Sequence, residues 1–392
     1  MPRNPIKDQI SFVGVGSTGF ARSATGRSRT DLALEASIAA ITDAGLEAKD
    51  IDGVVGTAPA AHRIAEDLGL PEVTHHSNQP MPLAFAVVDA MNAIYSGSCD
   101  TVLVYHALYR APANSQAAAN DPFRRGLGFG GSPAPAPFRV DPEQLGAEGY
   151  AAWASRYFHE YGAPQEVLGL IAVNERSNAV RNPLAAMRTP ITMEDYLSAR
   201  MVREPLRLLD MDVPVDGADA FVLTTTERAR DLAKTPVMIH AAAVGLPKHH
   251  GEDRIDGLSH HGQHVVVKSL RAKSDVWIPD VDVYFPYDGF TIIALSWIEN
   301  TGWCKPGEGY DFIRSNWDSG GNRIMIDGRI PVNTHGGNHS EGGTQGSGHI
   351  REAIAQLRGE AGDRQVTGAR TALLTPGGFF NNAQGLVLRT DR

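Results

Sequence analysis

Residues Pro331–His349, PVNTHGGNHSEGGTQGSGH, put three histidines (His335, His339, His349) and six glycines into nineteen positions. Imidazole is the side chain that exchanges a proton near neutral pH. Glycine at this density lets backbone pass close to another group or adopt positive φ, at an entropic cost that an idle loop gains little from. The segment therefore reads as a ligand cradle with proton-transfer groups at hand. A mobile loop is the plainer reading of glycine content, but HIREAIAQL follows directly, and Ile350, Ile354 and Leu357 recur at helical spacing, which anchors the loop's end. His335 and His339 are four apart, the spacing of two zinc ligands on one helix face. The segment holds too many glycines for a helix and no third ligand is evident, so no metal site is expected.

The elements that must hold this loop alternate strand and helix. ISFVGVGSTGF reads as a strand ending in a Gly/Ser turn, followed by a helix capped by Thr30 or Asp31, lined by Leu34, Ile38 and Ile41 and stopped at Gly45. Gly14, Gly16 and Gly19 spell GxGxxG, but about ten polar residues separate them from the helix they should open, and IDGVVGTA, the next strand, ends without an acid for a ribose. A glycine-rich turn is preferred over a dinucleotide site. A helix from about Pro82 to Tyr95 and a buried strand from Thr101 to Tyr105 come next. A Pro/Gly/Ala-rich excursion covers about Asn114 to Val140. Two helices follow it, then strand and turn chemistry from Met211 to Thr225. The last third repeats the outline of the first, which suggests an internal duplication. The pattern implies an α/β architecture with its sheets covered on both sides.

At 392 residues and 42% hydrophobic content the chain can bury a large core and form two or more structural units. A net charge of −9 gives no overall basic field for nucleic acid. Cys99 and Cys304 cannot build a disulfide framework, and no secretory segment or long uncharged apolar span is present, so a cytoplasmic protein without membrane contact is expected.

Several segments carry a family resemblance. The stretch from Ser155 to Thr224 ends in VDGADA (Val215–Ala220), where sterol-carrier-protein-type thiolases have SDGAAA. TGWCKPGEG and GRIPVNTHGGNHSEGGTQGSG are similar to their GFCxKGEG and LPVNxxGGxxSxGHPxGATG. Nearly the whole chain can be laid along a thiolase. The resemblance implies a duplicated five-layer αβαβα fold: a first half in residues 1–118 and 206–240, an inserted loop domain at 119–205, and a second half at 241–392. It also implies a homodimer and CoA-thioester substrates.

The chain departs from that family where the family does its chemistry. The thiolase nucleophile is a cysteine at the start of the helix near Pro82, where the helix N-terminus stabilises a thiolate; here the text is NQPMPLA, and neither Pro80 nor Met81 can attack a thioester. The HDCF motif corresponds to YDGF, so Tyr287 replaces a histidine while Asp288 and Phe290 are kept. GHP falls on Gly342, Gly343 and Thr344, and the last motif on TPGGFF, which keeps Gly377 and Gly378 without a cysteine.

A glycine-rich pocket without nucleophile can still offer N–H groups to a thioester oxygen. The resemblance then points to the thiolase-like aldolases that cleave steroid side chains. These need no cofactor beyond the CoA of the substrate and act with a small DUF35, OB-fold partner. Retro-aldol cleavage of a β-hydroxyacyl-CoA is the expected reaction, with Tyr287 as the proton-transfer residue. A free tyrosine titrates near ~10, so Tyr287 is a base only if that value is depressed and otherwise donates to the enolate. A second aldolase tyrosine, expected near the GHP position, is replaced by Gly343. His335, His339 or His349 would then supply the base with Asp288 orienting one of them, and Gly336, Gly337, Gly342, Gly343, Gly377 and Gly378 would line the substrate. The alternative from another class is a non-catalytic acyl-CoA-binding subunit of a complex. An acyltransferase using Ser77 lacks a visibly paired base.

Overall fold

Strand β1 (Ile10–Ala21) runs without a turn through the glycines of the GxGxxG spacing and lies against helix α1 (Arg29–Asp43). A Cβ on Gly14 or Gly16 would collide with the carbonyl oxygens of Ala40 and Ala36, so these glycines serve close helix–strand packing and not a nucleotide loop. The same closeness selects the helix face. Leu32, Ala33, Ala36, Ala40 and Ile41 are buried, whereas Ile38, expected on that face, is exposed. The cap is Ser28, in a reciprocal capping box with Asp31, and not Thr30 or Asp31 itself. The computed structural model describes residues 4–23, 26–110, 147–249, 257–379 and 381–391. The whole of the Pro/Gly/Ala-rich excursion, Arg124 and Arg125 included, lies outside them.

The remaining elements follow in chain order: β2 (Gly53–Gly56), α2 (Ala61–Asp67), β3 (His75–Asn78), α3 (Ala84–Tyr95), β4 (Thr101–Leu108), α4 (Ala147–Tyr161), α5 (Glu166–Ala179), α6 (Met193–Ser198), β5 (Met201–Arg203), β6 (Leu206–Arg207), β7 (Asp216–Thr225) and α7 (Thr226–Ala229). The second half contains β8 (Val237–Gly245), α8 (Gly262–Lys273), β9 (Val283–Pro286), α9 (Thr291–Thr301), α10 (Gly309–Ser315), β10 (Trp317–Asp318), β11 (Arg323–Ile326), β12 (Ile330–Pro331), α11 (Ser347–Arg358), β13 (Thr371–Thr375) and β14 (Ala383–Arg389).

Among the described residues nine strands form one hydrogen-bonded sheet in the order β3-β2-β4-β7-β1-β8-β14-β13-β9. The duplication is visible in its pairing. β2·β4 and β9·β13 are parallel, β4·β7 and β13·β14 antiparallel, and β7·β1 and β14·β8 antiparallel. The halves meet where β1 pairs with β8 at Ser11–Met238 and Phe12–Val237. Where the first half places β3 beside β2, the second has a single parallel bridge from Tyr284 to Val332, so the glycine loop leaves the sheet as the chain after β3 does. Each then leads into a central helix, α3 or α11.

Alternation along the strands sends side chains into three cores. One face of every strand of the large sheet except the edge strand β3 packs on α3 and α11 (Leu83, Val87, Ile350, Ile354). The other face of the first half packs on α1 and α2, and that of the second half on α8 and α9. Two outer helix layers, two half-sheets and a shared inner helix layer give the expected five. The segment between β4 and β7 adds Tyr157, Leu168 and Ile171 of α4 and α5 to the core of the second half.

Candidate active site

Tyr287 follows β9 directly, and its N–H donates to the Thr375 carbonyl at the end of β13 (3.2 Å). Two strand ends thus fix it over the sheet. Its ring is buried, and its hydroxyl donates to Oε1 of Gln345 at 3.1 Å. Gly289 makes room: a Cβ there would lie 2.6 Å from the ring and 3.1 Å from the hydroxyl. Burial, and after it the charge on Asp212, push the phenol well above the ordinary tyrosine range. Of the two roles open to this residue, the environment favours proton donor.

Asp288, the next residue, lies in a compartment with no exposed surface. The glycine loop is not a featureless turn: Gly337–Glu341 forms one π-helical turn, a geometry its glycine content argued against. The wide turn aims two successive backbone N–H groups at Asp288, which accepts from Asn338 N (2.8 Å), Asn338 Nδ2 (3.0 Å) and His339 N (3.2 Å). His349 Nε2 stands 3.2 Å from Asp288 Oδ1, and His339 Nδ1 3.9 Å from Oδ2. Burial alone would raise this carboxyl; the imidazoles and N–H groups outweigh it and hold Asp288 below its usual range. Glu175 of α5 shares the compartment, and burial together with the Asp288 charge pushes it well above the carboxylate range, so Glu175 keeps its proton.

The three loop histidines do come together. His335 packs edge-on to His349 (4.7 Å between ring centres), and His349 lies 5.9 Å from the Tyr287 ring. His335 and His349 are fully enclosed and His339 nearly so. Burial, then the neighbouring His349, depress His335 well below the imidazole range and keep it neutral, and neither of its ring nitrogens has a hydrogen-bond partner among the described residues.

The close approach foreseen at the glycines is made by the protein itself. Gly337, at φ 57°, has no room for a Cβ because Asp288 and Glu175 stand against it. Gly336 backs onto Ala179, Gly342 onto Val215, Gly377 onto the Asn382 carbonyl and Gly378 onto Asn382 and Tyr150. Gly343 faces an ion pair, Arg110 Nη1 to Asp212 Oδ2 at 3.1 Å, whose side chains are partly exposed.

Three motif segments converge beside the Tyr287 hydroxyl. Leu83 N, at the start of α3, donates to the Gln345 carbonyl (3.1 Å), and a Cβ on Gly346 would lie 2.9 Å from Pro376 and 3.7 Å from Pro82. No thiol stands at the α3 N-terminus. Cys99 is packed under Gly53, where burial lifts its thiol to about 12, and Cys304 is lifted equally, again by burial first. Ser77 donates to Asp89, which also lies near His75, so the serine has no imidazole base. Gln345, Glu175 and the Arg110–Asp212 pair escaped the sequence reading. Gln345 was legible as the residue beside the altered GHP position, whereas a pair 102 residues apart leaves no local signal.

Residues 261–390 match the family described as thiolase C-terminal domain-like. The chain is 35% identical to a steroid side-chain-cleaving aldolase of Thermomonospora curvata, over 97% of this chain and 98% of that one. It is 34% identical to a 17-hydroxy-3-oxo-4-pregnene-20-carboxyl-CoA lyase of Mycobacterium tuberculosis, over 95% and 97%. The solved structure titled Ltp2-ChsH2(DUF35) aldolase superposes with a TM-score of 0.84 at 32% identity, over 99% of both chains. With full-length likeness to lyases, a duplicated sheet and a motif junction that lacks the thiols and carries a tyrosine where thiolases have a histidine, the chain belongs to the thiolase superfamily, among its aldolase-type carbon–carbon lyases.

Proposed function

We propose that the protein cleaves the Cα–Cβ bond of a β-hydroxyacyl-CoA of the steroid side-chain type, releasing a ketone and a shorter acyl-CoA. The observation that carries this is the Tyr287 hydroxyl, poised as an acid at the α3 N-terminus where no nucleophile stands. In the reaction a base takes the β-hydroxyl proton and the O–H electron pair becomes the ketone C=O. The Cα–Cβ pair moves into the thioester as an enolate, and Tyr287 supplies the proton to Cα. The positive end of α3 favours the enolate charge. Proton count and oxidation state balance without a cofactor.

Two partners belong to this reading. The structural neighbour's title includes a DUF35 component, and we infer a partner of that OB-fold type here. A second copy of the chain is the other: among the described residues β3 forms one edge of the nine-stranded sheet, and an unpaired edge is a template for a symmetric pair. No helix among the described residues is long and apolar enough to cross a membrane, and we place the reaction in the cytoplasm.

The test is to supply a β-hydroxyacyl-CoA bearing a tertiary hydroxyl to the purified chain, alone and with a DUF35-type partner, and to look for the ketone by mass spectrometry. Ketone formation supports the lyase. Acyl-CoA binding without ketone in either preparation selects the binding-subunit alternative.

A further inference from the structure

Retro-aldol cleavage needs a base as well as an acid, and the enclosed groups near Tyr287 are poorly suited to be that base. His335 and His349 have no exposed surface, and Asp288 already accepts three N–H bonds. Asp212 differs on each count. Its side chain is 22% exposed and that of its partner Arg110 29%, so both are reachable from outside the core. Its N–H donates to the Gly289 carbonyl (3.1 Å), the same glycine whose missing Cβ makes room for the Tyr287 hydroxyl. Its carboxylate fills the space left by Gly343, so closely that a Cβ at 343 would collide with Oδ2, and Gly343 is two residues from Gln345, the acceptor of the Tyr287 proton. Acid and carboxylate are therefore braced by one glycine on one side and by one loop on the other.

We propose that Asp212, held by Arg110 in the space that Gly343 leaves open, is the general base that takes the β-hydroxyl proton. This rests on the retro-aldol reading and supplies the group that reading leaves unassigned. The carboxylate of Asp212 gains the hydroxyl proton as the ketone C=O forms. The Cα–Cβ electrons pass to the enolate, and Tyr287 gives its proton to Cα. The proton on Asp212 then restores the Tyr287 phenol. One proton enters the pair and one leaves it, and no oxidant, water or metal takes part. Arg110 keeps the carboxylate oriented and partnered, which a partly exposed side chain needs if it is to meet substrate in one geometry.

The experiment compares wild type, Asp212→Asn and Asp212→Gly, each with the DUF35-type partner, on the tertiary β-hydroxyacyl-CoA. We expect Asp212→Asn, which keeps the side-chain shape, to lower kcat by about 100-fold or more while acyl-CoA affinity by calorimetry stays within about threefold. Asp212→Gly is expected to be as inactive and to regain turnover when formate is added, since a small free carboxylate can occupy the vacated space. Circular dichroism checks that each variant is folded. Asp212→Asn retaining kcat within about threefold of wild type, or a folded Asp212→Gly that formate leaves inactive, overturns the assignment of Asp212 and leaves the lyase reading standing. A wild-type protein that binds acyl-CoA and yields no ketone overturns the lyase reading itself, and Asp212 with it.

Discussion

Gln345 accepts the proton of Tyr287 at 3.1 Å from a backbone in the left-handed region, at φ 53°. A non-glycine residue there costs on the order of 1–3 kcal/mol, and such strain persists where the surroundings over-determine it. Here the Gln345 carbonyl is tied to the N–H of Leu83, and Gly346 fits between Pro82 and Pro376. One residue thus joins the proposed acid to the helix end at which the enolate would develop.

Removing that acceptor should uncouple the two. Gln345→Leu leaves the buried phenol proton unpartnered, at ~1–3 kcal/mol of stability. We expect kcat to fall about tenfold, the low end for a disturbed acid–base group, with KM little changed. Steady-state kinetics and urea unfolding of the same preparation check both; a variant as active as wild type would show that the bond only packs the ring.

Tyr287→Phe keeps the ring and deletes the proton. Turnover is expected to drop at least about tenfold, whereas stability should change by only about 1 kcal/mol because one hydrogen bond is lost. Unchanged turnover, measured as ketone released, would remove Tyr287 from the mechanism.

Glu175 links stability to pH. Its folded-state value is raised, by burial first and then by Asp288, so its contribution is fully present below the ordinary glutamate range and is lost as pH rises toward the folded value. Over that window the unfolded chain releases a proton that the folded chain retains. Glu175→Gln mimics the neutral acid, its carbonyl still able to accept from Asn333 Nδ2. We expect the variant to gain thermal stability over wild type at pH 7–8 and to lose that advantage toward pH 4. Equal melting curves across the range would mean that Glu175 is ionised in the fold.

Gly337→Ala separates the two readings of the glycine loop. Positive φ and the contact with Asp288 together should cost roughly 2–5 kcal/mol. A loop whose glycines served only an incoming ligand would lose affinity and keep its stability, so denaturant unfolding without substrate distinguishes the cases.

Much of the architecture was legible because it is written in short-range patterns. Strand–helix alternation, the repeat of its order and the apolar faces of α3 and α11 all follow from neighbouring residues, and the family motifs located Tyr287 and the absence of a thiol near Pro82. The failures arose where a distant surface overrode local preference. Ile38 follows the helical period yet faces outward, because glycines of β1 bring the sheet against alanines instead. The glycine-rich segment forms a π turn because Asp288, from the other side of the loop, takes up its N–H groups.

The site divides in the same way. Residue types and motif order determined by themselves that the chemistry could not pass through an acyl-cysteine and that Tyr287 and the loop histidines belonged near one another. Only the tertiary structure decided how these groups are buried and what stands against them. Protonation and access depend on burial and on charges brought from far along the chain: Glu175 from α5 against Asp288, and Arg110 and Asp212 around Gly343. Those are properties of the folded environment, and no spacing in the sequence encodes a dielectric or a distance across a hundred residues.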